Sequence, residues 1–250
     1  MTDLNADQRF WLAAVRAEGA ALRTAVTAEN LSAPVRSCPG WTVQDLIGHV
    51  GAVYEFQRTH FVRGIASRPQ NERPVPPAGL EVLDYFDRQL AETLQALESL
   101  DPESPAWHWG GGPKVAAFWF RRMAVETALH RWDAQAAIGI PIPLDPRLSV
   151  DGIAEVLDTQ LPSGRRKGSE DAEGVARLNA TDTGDRWVIR IRGKALSVLD
   201  TNTVLDPGPG AQAAAKGTAS DLLLALWGRI PLDVLEISGD SPLLEALRTG

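Results

Sequence analysis

Glu126 and His130 stand four positions apart, and on a helix that spacing puts both side chains on one face, one turn from each other. A carboxylate and an imidazole so placed can bind a single ion, and together they suit a divalent metal. Asp133 and Ala137 extend the row, and Trp119 and Met123 precede it. It is a row that a folded helix should bury, where unpaired ionisable groups are costly. A metal would compensate, and its third ligand is best sought on another helix. His49 is the leading candidate, because in Leu-Ile-Gly-His-Val-Gly (46–51) it interrupts an apolar, small-residue stretch. The bland alternative stays open: a Glu and a His at this spacing recur by chance, and a core histidine satisfied by a neighbour is commoner than a ligand.

The remaining reactive side chains are weaker candidates. His60 lies on a face similar to that of His49 but about 16 Å along the axis, too far to share an ion; it reads as a surface or satisfied histidine. His108, between two tryptophans and before Gly-Gly-Gly-Pro, either lines a pocket mouth or packs within its loop, and the packed loop is favoured. Asp133 either orients a ligand imidazole from behind or pairs with Arg131 or Arg122. Cys38 reads as a small buried residue rather than a nucleophile, since the sequence sets no base beside it. As the single cysteine, it excludes an internal disulfide and any all-thiolate zinc site.

These residues need elements to hold them. Apolar positions recur at three and four spacings through the first 140 residues, predicting helices over about 7–29, 42–63, 80–99 and 115–138. Thr42 and Asp45 form a capping box at the start of the second helix. Pro69, Pro74, Pro76 and Pro77 mark the loop before the third, and Gly139 with Pro141 ends the fourth. Four such helices suggest a bundle.

The texture changes after Pro141, placing a boundary within 139–148. A short helix over 148–160 leads into a charged loop (163–173), then strands over 175–180 and 187–192 joined as a hairpin by Thr-Asp-Thr-Gly-Asp. Residues 196–199 and 212–216 read as further strands, with a loop marked by Gly208 and Gly210 between them. A helix over 218–227 capped by Thr218 or Ser220, a strand over 235–238 and a helix over 242–247 complete the chain. The expected class is α+β: a four-helix bundle over 1–142 and a C-terminal α+β domain over 148–250.

With 25 Lys+Arg against 32 Asp+Glu, the chain of 250 residues carries a net charge of -7, which repels a phosphate backbone; nucleic acid is not an expected partner. No apolar run approaches the length of a membrane span and no leader is evident, so no membrane partner and a cytoplasmic location are expected.

Cys-Pro-Gly-Trp-Thr-Val-Gln-Asp-Leu-Ile-Gly-His (38–49) and Arg-Met-Ala-Val-Glu-Thr-Ala-Leu-His-Arg-Trp-Asp-Ala (122–134) resemble the metal-binding domain of the mycothiol-dependent maleylpyruvate isomerase family, a DinB-like four-helix bundle. Asn-Ala-Thr-Asp-Thr-Gly-Asp-Arg-Trp (179–187), Gly-Thr-Ala-Ser-Asp-Leu-Leu-Leu-Ala-Leu-Trp-Gly-Arg (217–229) and Ser-Gly-Asp (238–240) resemble the family's small SCP2-like C-terminal domain. The resemblance implies that His49, Glu126 and His130 ligate a metal, usually zinc, with positions left for water or a thiol. It implies that Arg229 binds a substrate or cofactor carboxylate; the plainer reading of Arg229 is a charge satisfying the last carbonyls of its helix. Trp41 and Asp45 match the motif as packing and capping residues. The implied activity is addition of mycothiol, a low-molecular-weight thiol cosubstrate, to a small electrophile, as S-transferase or cis-trans isomerase. Two alternatives remain: metal-assisted hydrolysis, with Asp133 or His108 as base, and a non-catalytic protein that clamps a small acidic ligand.

Overall fold

Asn5 and Thr42 open the first two helices with reciprocal capping boxes, to Gln8 and Asp45 respectively. In the second, Asp45 N–H donates to Thr42 Oγ1 at 3.3 Å and Thr42 N–H to Asp45 Oδ2 at 2.8 Å, satisfying two backbone donors that a helix start otherwise leaves orphaned. A computed structural model describes residues 4–70, 72–167, 169, 171–199 and 211–249. The chain divides into two units, Met1–Leu144 and Asp145–Gly250.

The first unit holds α1 (Ala6–Ala25), α2 (Val43–Phe61), α3 (Glu81–Ser99) and α4 (Ala117–Ala137). Each of α1 and α2 packs against both α3 and α4, a four-helix bundle. The helix α1 stops four residues before the periodicity predicts. Asn30 Nδ2 donates to Ala25 O at 2.8 Å and Thr27 N–H to Asn30 Oδ1 at 3.0 Å, so an asparagine turn captures the terminal carbonyl that further helix would use.

The sequence suggests one buried stripe on α4, but the helix is buried around most of its circumference, with Phe120, Ala124, Val125, Leu129 and Ala134 covered as fully as Trp119 and Met123. Its polar groups are therefore obliged to find partners inside the bundle. Two features position α2, one against α3 and one against α4. Gly51 lies where a Cβ would come within 2.8 Å of the Tyr85 ring, so only glycine admits so close an approach of α3 to α2. On the side toward α4, the Tyr54 hydroxyl shares a buried hydrogen bond of 2.7 Å with Thr127 Oγ1, which in turn donates to Met123 O at 2.7 Å.

The second unit starts with α5 (Pro146–Glu155), capped by Asp145 and extended by a π-helical turn over Val156–Gln160. Then come β1 (Glu173–Ala180), β2 (Arg186–Arg192), β3 (Ala195–Leu199), β4 (Ala213–Gly217), α6 (Ala219–Leu226), β5 (Glu236–Gly239) and α7 (Ser241–Glu245). The sheet order is β3-β2-β1-β4-β5, with β1 parallel to β4 and the other neighbours antiparallel. The expected hairpin is β1–β2, and the small-residue run before α6 is β4. Ala176, Leu178 and Ala180 alternate as buried positions on β1, and α6 and α7 pack against β1 and β4. Thr218 caps α6 by accepting from Asp221 N–H at 3.1 Å. The loop expected at Gly208 and Gly210 lies outside the described residues. The class is α+β, as expected. No helix among the described residues is long and apolar enough to cross a membrane.

Candidate metal centre

His49 projects from the second turn of α2 toward α4, where Glu126 and His130 project one turn apart. Glu126 Oε1 lies 3.5 Å from His49 Nε2 and 3.4 Å from His130 Nε2. The two imidazoles meet edge to face with centroids 5.2 Å apart, and one donor atom from each of the three residues lies within 4.8 Å of the others. Two ligands each about 2.1 Å from a tetrahedral ion are separated by about 3.4 Å, so the two measured separations are those of neighbouring corners of one coordination polyhedron. Two nitrogens and one oxygen are also the donor types of a three-ligand catalytic zinc site with a position to spare. The residues fit a divalent ion.

The other carboxylate oxygen is committed elsewhere. Arg122, one turn before Glu126 on α4, donates Nη2 to Glu126 Oε2, leaving Oε1 to face the histidines. Burial pushes the Glu126 carboxyl up, but the Arg122 charge, then the bonds from His130 and His49, overcome it and hold the carboxyl well below its ordinary 4.5. Burial likewise draws His130 down, and Asp133 and Glu126 outweigh it, raising the imidazole from 6.5 to about 9 without a metal.

Asp133, with either role open in the sequence, accepts from His130 Nδ1 at 2.9 Å. Arg131 is held by Glu18 on α1, Nε to Oε2 at 2.6 Å, and by Gln135 Oε1 at 2.8 Å. Cys38 corrects its expectation: it is half-buried rather than buried, and its Sγ lies 3.8 Å from Asp133 Oδ2. Cys38, His130 and Asp133 form a second set whose ligand atoms lie within 4.8 Å of each other. A sequence separation of 95 residues hid that contact. Trp41, read as packing, also belongs here: its ring lies 4.7 Å from that of His49 and stacks at 6.4 Å on that of His130. Arg122 was detectable, since a base four residues before a buried acid is a standard helical pair. Nothing in the sequence marked Trp41 as a wall of the site.

The other histidines are structural. His60 is buried, its Nδ1 2.9 Å from Phe56 O, among Phe56, Trp107 and Trp119. His108 is buried in its loop, stacked on Phe118 with centroids 4.0 Å apart and with Nε2 2.8 Å from Pro113 O; it packs rather than lining a pocket mouth. Arg229, in the second unit, donates Nη1 to Trp227 O at 2.9 Å and lies 5.4 Å over the Trp227 ring. The bond to Trp227 O is of the kind a charge at a helix end makes.

Comparison with known proteins adds what geometry cannot. Residues 12–135 match the family model described as the mycothiol maleylpyruvate isomerase N-terminal domain, and residues 147–246 match the MDMPI C-terminal domain. A crystal structure of the mycothiol-dependent maleylpyruvate isomerase superposes with a TM-score of 0.61 at 15% identity, covering 95% of both chains. The crystal structure of a histidine-to-alanine mutant of a mycothiol-dependent maleylpyruvate isomerase superposes with a TM-score of 0.64 at 14% identity, again over 95% of each chain. No curated protein sequence matches significantly. At these identities the superpositions establish the fold, while the two sequence models, which together span nearly the whole chain in the right order, establish descent: the chain belongs to the mycothiol-dependent maleylpyruvate isomerase family.

Proposed function

We propose that this chain is a metal-dependent enzyme that uses mycothiol on a small electrophile, as a cis-trans isomerase of the maleylpyruvate type or a thiol S-transferase. His49 Nε2, Glu126 Oε1 and His130 Nε2 hold the metal, zinc or another divalent ion. The observation that carries the reading is the convergence of these three residues, from two helices, in a chain of this family. A bound divalent ion would supply a lowered thiol pKa, so that the cosubstrate reacts as a thiolate at neutral pH.

The protein's own groups do the rest. Arg122 fixes the Glu126 carboxylate so that a single oxygen faces the histidines. Trp41 gives that pair an aromatic flank, a surface suited to the apolar part of a substrate and to excluding water. The reactive thiol is that of mycothiol, supplied from outside the chain, while Cys38 contacts Asp133. Arg229 binds a carboxylate of substrate or thiol through its planar guanidinium. In the isomerase reaction the external thiolate adds to one carbon of the cis double bond, the resulting single bond rotates, and expulsion of the same thiolate gives the trans product. In the transferase reaction the adduct is protonated and released.

The test is turnover of maleylpyruvate, then of a panel of electrophiles, by zinc-loaded protein with and without mycothiol. Turnover that requires both metal and thiol supports the proposal. Equal turnover without thiol, or none across the panel despite stoichiometric metal, overturns it.

A further inference from the structure

We infer that Asp133 is the positioning residue of this centre: it fixes His130 so that Nε2 faces Glu126 and His49, and Cys38 anchors it in that role. The inference rests on the ligand assignment proposed above. The two nitrogens of His130 serve different partners, Nε2 lying 3.4 Å from Glu126 Oε1 and Nδ1 2.9 Å from Asp133 Oδ2. A neutral imidazole carries one proton and one free lone pair. Both nitrogens face carboxylates, the Asp133 oxygen being the nearer; a cation displaces the proton on the Nε2 side, where Glu126 and His49 converge, and the remaining proton stays on Nδ1, held by an acceptor that has none to give. Asp133 is itself fully buried, where a charge-assisted hydrogen bond is strong and its loss expensive. A carboxylate behind an imidazole also makes the opposite nitrogen a better donor.

Cys38 extends this chain of contacts to the other helix of the site. Its Sγ–H donates to Asp133 Oδ2 across 3.8 Å, the same oxygen that receives His130. Cys38 and Trp41 are joined by a turn, Trp41 N–H to Cys38 O at 3.0 Å, immediately before the Thr42 cap of α2. One turn therefore delivers a thiol to the oxygen behind His130 and an indole beside both imidazoles. The segment that starts the His49 helix and the carboxylate that orients His130 are tied at a single atom.

The experiment compares zinc affinity, by chelator competition, for wild type, Asp133→Leu, Asp133→Asn, Cys38→Ala and His49→Ala, alongside the urea midpoint of each metal-free protein. Asp133→Leu should bind zinc about 10–100-fold more weakly. Asp133→Asn keeps an oxygen acceptor for Nδ1–H and should recover part of that loss, a rescue that a merely structural role would not produce. Cys38→Ala should weaken zinc binding by a smaller factor than Asp133→Leu. Wild-type zinc affinity in a folded Asp133→Leu protein overturns the inference. Should Asp133→Leu not fold, Asp133→Asn decides: a reduced affinity supports the inference, and an unchanged one overturns it. His49→Ala keeps the two claims apart, since undiminished zinc binding there rejects the ligand assignment, whereas lost binding there with Asp133→Leu at wild-type affinity rejects the positioning role alone.

Discussion

Tyr54 on α2 and Thr127 on α4 share a hydrogen bond of 2.7 Å between fully buried side chains, joining the two helices on which His49 meets Glu126. Burial pushes the Tyr54 phenol above its ordinary value, so it stays protonated and can donate. Tyr54→Phe removes the donor while Thr127 keeps its bond to Met123 O. The expected result is a loss of about 1–2 kcal/mol in urea unfolding, with a modest fall in zinc affinity as α2 gains freedom. An unchanged urea midpoint would mean that packing alone holds the two helices together.

Arg122, buried, and Glu126, half-buried, form an ion pair on one helix. Arg122→Met leaves the Glu126 carboxylate without its compensating charge, and metal-free protein should lose about 3 kcal/mol of stability. Zinc should restore much of it, because the ion substitutes for the missing cation. The shift in melting temperature on adding zinc should therefore be larger in the variant than in wild type, as differential scanning calorimetry can measure.

The approach of α3 to α2 gives a test with no chemistry in it. An added Cβ at Gly51 would lie 2.8 Å from the Tyr85 ring, and Tyr85 is buried, with its hydroxyl on Glu55 Oε2 at 2.7 Å. Gly51→Ala should cost about 1–3 kcal/mol as the helices separate, against the small gain an alanine brings to an open helix position. A melting temperature at or above wild type would contradict the packing described.

His60 predicts a pH dependence. Burial lowers its pKa below the ordinary 6.5, so it is neutral in the fold while the unfolded chain takes up a proton below about pH 6.5. The unfolded state then binds more protons, and stability falls as pH drops from about 6.5 toward the folded value, with a slope of at most about 1.4 kcal/mol per pH unit from this residue. His60→Phe should flatten that part of the profile relative to wild type, measured as urea midpoints between pH 8 and 5. Identical slopes would show that His60 does not titrate differently on folding.

Arg229 is tested by separating binding from loading. Arg229→Met should keep full metal content and raise KM for a carboxylate substrate by about tenfold or more, the loss of a charge-assisted bond. Normal KM with normal metal would reject the carboxylate-binding role of Arg229.

Much of this was legible because local chemistry and tertiary structure agree. The Thr42–Asp45 box forms as its spacing demands, and the row of Glu126 and His130 faces inward on a helix that is buried around most of its circumference. His49 was found through its context, a polar residue in a stretch of small apolar ones. What the sequence withheld was partner choice. Asp133 has His130 three residues before it on one face and the arginines 131 and 122 at spacings that do not face it directly, and Arg131 turns out to meet Glu18, 113 residues away. The contact of Cys38 with Asp133 is equally non-local, and Trp41 looks like any packing aromatic until two imidazoles lie beside it.

The most direct measurement is X-ray absorption of zinc-loaded protein, paired with zinc stoichiometry in His49→Ala, Glu126→Ala and His130→Ala. The account predicts one zinc per chain, two imidazole nitrogens and a carboxylate oxygen each near about 2.1 Å, and loss of that zinc in each variant. A shell containing the Cys38 sulfur, or full zinc retention after removal of His49, would contradict it.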